Sequence, residues 1–175
     1  MAYVQLAETI FRTGLTIDVV NVGRVIIPEV KKEKRGDKDV QVFAGYNEKK
    51  QIGDVERQKR VVAVMEAVGR LSDFAKQARS AVSLSPDIVM ISLLPVYSQR
   101  GLRCLSLNDK GNINIDELGA IVADLQGMGG EVVFGYTPGV IANDPAFRDW
   151  MTDKKLDHPN PIAAIQKAVD RYRGL

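Results

Sequence analysis

Two hydrophobic periods alternate along these 175 residues, and the order of the alternation limits the folds open to the chain. Residues 15–30 (LTIDVVNVGRVIIPEV) are rich in β-branched side chains and read as one or two strands. Residues 40–46 (VQVFAGY) alternate like a half-buried strand. Between them lies a charged stretch, KKEKRGDKD at 31–39, in which Gly36 is free to take positive φ. The three segments together predict a long β-hairpin with a protruding basic tip. The period then changes. Val61, Val64, Met65, Val68, Leu71, Ala75, Ala78 and Val82 recur at three- and four-residue spacing and share one face of a helix predicted over 54–82.

Strand signals return after residues 83–86. The run IVMISLL at 88–94 predicts a central strand buried on both faces. Residues 102–107, the turn 108–111 (NDKG) and residues 112–115 predict a second hairpin. Asp116 can cap a helix with Leu118, Ile121, Val122 and Leu125 on its apolar face and Gly127 as its stop. EVVFGY at 131–136 is a further strand. Asp144-Pro145 is a cap followed by a first-turn proline, and it opens a short helix bearing Phe147, Trp150 and Met151. Asn160-Pro161 repeats that signature before a last helix with Ile162, Ile165, Val169 and Tyr172 on one face. The order ββαβββαβαα, with no internal repeat and no Ser/Gly-rich linker, predicts an α+β fold, or a mixed α/β variant of it. The expectation is one domain over 1–175 with two hairpins, about six strands and three to four helices, and the basic tip at about 31–39.

Composition narrows the chemistry. The chain is 45% hydrophobic, 26% charged and only 6% aromatic, so it has the make-up of a globular protein with an aliphatic core. It holds one histidine, His158, and one cysteine, Cys104. A structural zinc site takes about four Cys or His ligands and a catalytic one usually three, so the common zinc sites are out of reach. His158 sits in a Pro/Asp/Asn-rich loop, a poor place for the base of a nucleophilic triad. Cys104, in the middle of an expected strand, reads as a small packed residue and fits a reducing, cytoplasmic compartment. Residues 1–5 lack the charged start and apolar core of a signal peptide, and residues 88–96 are too short to span a bilayer.

The densest chemical signal is basic. Lys31, Lys32, Lys34, Arg35, Lys38, Lys49, Lys50, Arg57, Lys59 and Arg60 fall within 30 residues that hold 6 acidic side chains. Cations on a hairpin tip reach phosphates well, because displaced counterions supply the affinity. They also keep a turn solvated and protect a strand edge. Only Phe43 and Tyr46 lie nearby to stack on bases.

Other constellations are weaker. Residues 106–117 match a calcium loop at Gly111, Ile113 and Glu117 but place Ser106, Asn108 and Lys110 where carboxylates belong. GYTPG at 135–139 lies between a strand and a helix without a phosphate-loop motif, and Asp144 would repel an anion there. Asp144, Asp149, Asp153 and Asp157 are interleaved with Arg148, Lys154 and Lys155, as on a solvated face. Phe147, Trp150 and Met151 read as core before they read as a partner-facing patch.

No catalytic residue, metal site or cofactor is assigned. The function expected is that of a non-catalytic binding or assembly protein, working in an oligomer or larger complex. Its partners would be other protein subunits, of its own kind or another, with RNA or DNA reached through the basic hairpin and no membrane contact. The alternative is a small enzyme acting on a phosphorylated or nucleotide-like ligand with carboxylates and Arg as its working groups. The balance leans away from an enzyme because no motif specific to one survives.

Overall fold

A computed structural model describes residues 12–36, 38–50, 52–73, 82–83, 85–156 and 159–175. The fold is α+β, with four helices among the described residues and, besides one two-residue pairing, four strands in two antiparallel two-stranded sheets. Contacts group the described residues into two compact units, Ile17–Met65 and the remainder.

The smaller unit is dominated by β1 (Arg24–Arg35) paired antiparallel with β2 (Lys38–Lys50). The predicted hairpin is therefore present, but its first strand starts at Arg24 and not near residue 15. Asp18 and Asn21 explain the delay. The Asn21 amide donates to the Asp18 carbonyl at 3.1 Å and its side chain donates to the Asp18 carboxylate at 2.6 Å. Such local bonds compete with a strand ladder, and a 3₁₀ turn at Val19–Asn21 results. The charged stretch is not a loop. Both strands run through it until Arg35 faces Lys38, which leaves a two-residue connection containing Gly36 at φ 64°.

Helix α1 (Asp54–Val68) carries Asp54 and Glu56 in its first turn, where they complement the helix dipole, and they pair with Arg57 at 2.7 Å and Arg60 at 2.9 Å. It stops at Val68, not at Val82 as the periodicity predicts. Gly69 follows, the poorest helix former after proline. A side chain at Gly69 would press on Ile162 Cδ1 at 3.0 Å and Ile165 Cδ1 at 3.3 Å. The long stripe shrinks accordingly. Val61 is buried together with its neighbour Val62, Met65 and Val68 are half-buried, and Val64 and Leu71 are exposed. Ala75 and Ala78 lie outside the described residues. Val82 belongs to β4 (Val82–Ser83), which pairs with β3 (Ser72–Asp73).

The larger unit holds the main core. β5 (Ile88–Leu93) pairs antiparallel with β6 (Glu131–Tyr136), and helices cover both faces of that ribbon. On one side lie α2 (Ile115–Gly127) and α3 (Asp144–Asp153), and Leu118, Ile121, Val122, Leu125, Phe147 and Met151 are buried with Phe134 and Tyr136. On the other side α4 (Pro161–Arg173) packs on Val133 and Gly135 through Pro161, Ala164, Ile165, Ala168 and Val169. Of the face predicted for α4, Ile165 and Val169 are buried and Tyr172 is half-buried, while Ile162 is exposed. Gly135 sets the closeness of this seam. A Cβ there would lie 2.6 Å from Pro161 Cα and 2.7 Å from Ala164 Cβ.

Four other expectations change, one of them the cap of α3, which is Asn143 while Asp144 is already helical. β5 is half-buried along its length and, among the described residues, pairs on one side only, so it is not a central strand buried on both faces. The second hairpin is reduced to a single bridge, Leu107 with Ile113, because Arg100–Arg103 coils into a 3₁₀ turn. Cys104 follows that turn and is not in a strand. The cap of α2 is Asn114, whose side chain accepts from the Glu117 amide at 3.2 Å; Asp116 is already helical. The turn at 108–111, the strand at 131–136 and the cap at Asn160 form as predicted.

Candidate interface on the β1–β2 hairpin

The ten basic residues do not form one cluster. Lys31, Lys32, Lys34, Arg35 and Lys38 lie at the closed end of the hairpin, whereas Lys49 and Lys50 face Val25 and Arg24 at the open end. At about 3.3 Å per residue the two groups are on the order of 30 Å apart. The closed-end cations also divide between faces. Lys31 and Lys38 share a face with Glu33, and Lys32 and Lys34 share the other with Asp39. Lys31, Lys32, Lys34 and Lys38 are exposed and make no ion pair with a described residue. Arg57, Lys59 and Arg60 are on α1, and Arg57 and Arg60 are held by carboxylates of their own helix.

The face shared by Lys32 and Lys34 has a feature that alternation along the sequence does not reveal. The register shifts between Glu29 and Val30: Glu29 faces Gly45, Val30 faces Phe43, and Ala44 is left over as a bulge. Without the extra residue Phe43 and Tyr46, three apart, would point to opposite faces. With it they share a face, and their rings meet edge to face with centroids 4.9 Å apart. Gly45 carries the distortion at φ 138°, a conformation that side chains rarely adopt. Ile26, Pro28 and Val30 of β1 fall on the same face, opposite Glu48, Tyr46 and Phe43. All are solvent-exposed: Ile26 by 57%, Val30 by 55%, Phe43 by 58% and Tyr46 by 70%. The signal in the sequence is Ala44-Gly45 inside a strand pattern, since a glycine there marks a bulge.

Polar groups close both ends of this apolar face. Arg24 pairs with Glu48 at the open end, with Asn21 adding a bond at 3.2 Å. Lys32, Lys34, Gln41 and Asp39 form the closed end.

The other candidates resolve into structural roles. In the calcium-like segment the Asn108 side chain accepts from the amides of Lys110 and Asn112, both at 3.0 Å, and the Asn114 side chain is spent on the α2 cap. Asp144 accepts from the Tyr136 hydroxyl and from the Gly139 amide at 3.1 Å. Those bonds hold its carboxyl below the usual range, and burial with the Asp144 contact raises the Tyr136 phenol. The GYTPG loop therefore gives its Gly139 amide to Asp144. Asp149 and Asp153 are exposed on α3, and Asp157 and His158 lie outside the described residues. Cys104 is buried beside Met90, with 3.5 Å between the sulfurs, and burial pushes its thiol up to about 11. Phe147 stacks on Trp150 at 5.9 Å inside the core. An open depression at the start of α4 is lined by Asp87, Thr137, Asn160 and Gln166, but the Asn160 side chain already caps the helix.

Among the described residues no group of three His, Cys, Asp or Glu side chains is gathered as for a metal ion, and no helix is long and apolar enough to cross a membrane. No family model, curated protein or solved structure matches the chain.

Proposed function

We propose that this is a non-catalytic binding or assembly protein that works in an oligomer or larger complex and uses the β1–β2 hairpin as its contact arm. One observation carries the reading: the exposed apolar face of Ile26, Pro28, Val30, Phe43 and Tyr46. An exposed residue of this size offers roughly 200 Å², so the face presents on the order of 500 Å² of contiguous apolar surface. That is the upper end of what monomers leave in water, and patches of that kind mark interaction sites. A hairpin of only two strands is also marginal in water without a further layer. The test is a photo-crosslinking amino acid placed at Tyr46 in the full chain inside cells, with Asp116 on the exposed side of α2 as the control position. Covalent adducts at 46 and none at 116 are expected. Equal yields at both positions would refute the arm as the contact surface.

A second reading is favoured by the cations at the closed end, where Lys31, Lys32, Lys34 and Lys38 pair with no carboxylate among the described residues. Lys32 and Lys34 lie on the same face as two exposed rings, which is the pairing of charge and stacking surface that single-stranded nucleic acid uses. Fluorescence anisotropy with labelled single- and double-stranded DNA and RNA at two salt concentrations tests it. Absence of binding to all four at low salt would remove nucleic acid as the ligand.

A further inference from the structure

We infer that the occupant of the arm's apolar face is a second copy of this chain, with two arms packed face to face and antiparallel about a two-fold axis. The inference rests on the contact-arm reading above and names its partner.

The face, not the strand edge, is the route of association. Pro28 removes a backbone donor from β1, the bulge at Ala44 interrupts β2, and lysines crowd the closed end. Those are the devices by which proteins discourage edge pairing. Two faces laid together would hide on the order of 1,000 Å² of apolar surface, and the rim residues bring the total to the roughly 1,200 Å² at which specific interfaces begin. A single arm against a flat polar surface falls well short of that.

The charge ladder sets the direction. The register places Arg24, Lys50 and Glu48 at one end of the face, the apolar residues in the middle, and Lys32, Lys34 and Asp39 at the other end. Two arms packed in parallel would lay each rung over its own copy, so the Arg24–Lys50 rung would meet a second pair of cations and the Glu48 rung a second Glu48 rung. Two arms packed antiparallel bring the Lys32–Gln41 rung over the Ile26–Glu48 rung of the second copy and the Lys34–Asp39 rung, which carries no net charge, over its Arg24–Lys50 rung. The axis then passes between the Pro28–Tyr46 and Val30–Phe43 rungs, so Phe43 of each arm meets Tyr46 of the other. A face that is complementary to itself on reversal is what a closed two-fold dimer requires. Nucleic acid fits less well, because Ile26, Pro28 and Val30 offer no ring to a base and the Phe43–Tyr46 contact already occupies one ring face.

Sedimentation velocity on the full chain should show a concentration-dependent dimer. Phe43→Asp or Tyr46→Asp should weaken it by at least about 30-fold, the loss expected of a central aromatic anchor. Lys31→Ser, on the opposite face, should leave it unchanged. Spin labels test the geometry without an apolar-to-charged change. Gln41→Cys and Lys34→Cys can be labelled separately, with the buried Cys104 left unreactive. Antiparallel arms put the Gln41 labels about 20 Å apart and the Lys34 labels about 35 Å apart. Parallel arms bring both pairs to about 10 Å, the spacing of facing sheets. Short distances at both positions overturn the direction. A dimer that survives Phe43→Asp overturns the face. A parent that stays monomeric up to about 100 µM overturns self-pairing, and adducts at Tyr46 to a different molecule would then still support the contact arm.

Discussion

Replacing Gly45 with valine isolates the bulge from every other feature of the arm. A Cβ at Gly45 would meet nothing within 4 Å, so the first side-chain atom adds no clash. Its main cost is conformational, because a β-branched residue must then hold φ 138°. Strain of that kind amounts to about 1–3 kcal/mol. A two-stranded ribbon has little stability to spare, so the strands should either open more often or re-pair without the bulge. Opening by that free energy raises amide exchange across the Glu29–Gly45 and Val30–Phe43 rungs by about 5- to 150-fold. Re-pairing without the bulge sends Tyr46 to the face opposite Phe43 and breaks up the apolar patch. Amide hydrogen exchange read by mass spectrometry distinguishes both outcomes from the parent. Gly36→Asn is the matched control, since Gly36 at φ 64° lies where asparagine is tolerated and a Cβ there also meets nothing. Gly36→Asn should exchange like the parent. If Gly45→Val exchanges like it too, and keeps Phe43 beside Tyr46, the bulge does not depend on Gly45 and the account of the face is wrong.

Three further outcomes follow from named contacts. Gly135→Ala should destabilise the larger unit by about 1–3 kcal/mol in urea titration, because the new methyl meets Pro161 Cα and Ala164 Cβ, neither of which can turn away; Gly127→Ala, with open space around it, should stay within about 0.5 kcal/mol of the parent. Replacing Lys31, Lys32, Lys34 and Arg35 with serine should leave the melting temperature almost unchanged, and any affinity for nucleic acid should fall while its salt dependence flattens by roughly 0.7–0.9 per lost phosphate contact. Asp144 is held below its unfolded pKa of about 3.9, so its contribution to stability is present above that pH and is lost as pH falls through the lower folded value; Asp144→Asn should remove that part of the acid limb in a pH series of thermal melts.

Elements that a local signal defines end to end were legible in the sequence. β6 was bounded by the glycines before it and by the polar turn after it, and α4 by its Asn160-Pro161 start. What failed were boundaries fixed by distant packing. The stripe over 54–82 continues past Gly69 on paper, but the turn there lies close under Ile162 and Ile165, residues far ahead in the chain. The expected strand at 102–107 failed for a similar reason. Its alternation places Cys104 on a strand face, whereas the 3₁₀ turn before it delivers that side chain into the core beside Met90. Periodicity reports which residues seek burial, not which element brings them there.

The candidate site was half legible for a sharper reason. Charge is visible without any knowledge of pairing, so the basic closed end stood out at once. The apolar face depends on register. Val40, Val42 and Tyr46 look like one alternating set in the sequence, with Phe43 on the far side. One extra residue at Ala44 reverses the assignment of everything after it, and Tyr46 joins Phe43 while Val40 and Val42 stay with Lys31 and Glu33. The same shift keeps Glu48 at the Ile26 rung, at the end of the apolar strip and not within it. A bulge that only re-aimed one side chain would be a local feature. Here it decides whether the arm has one coherent apolar face with charged ends or two diluted ones. Only the first can hide enough surface to hold a partner, so the position of Gly45 is where this chain's sequence bears most directly on its proposed assembly.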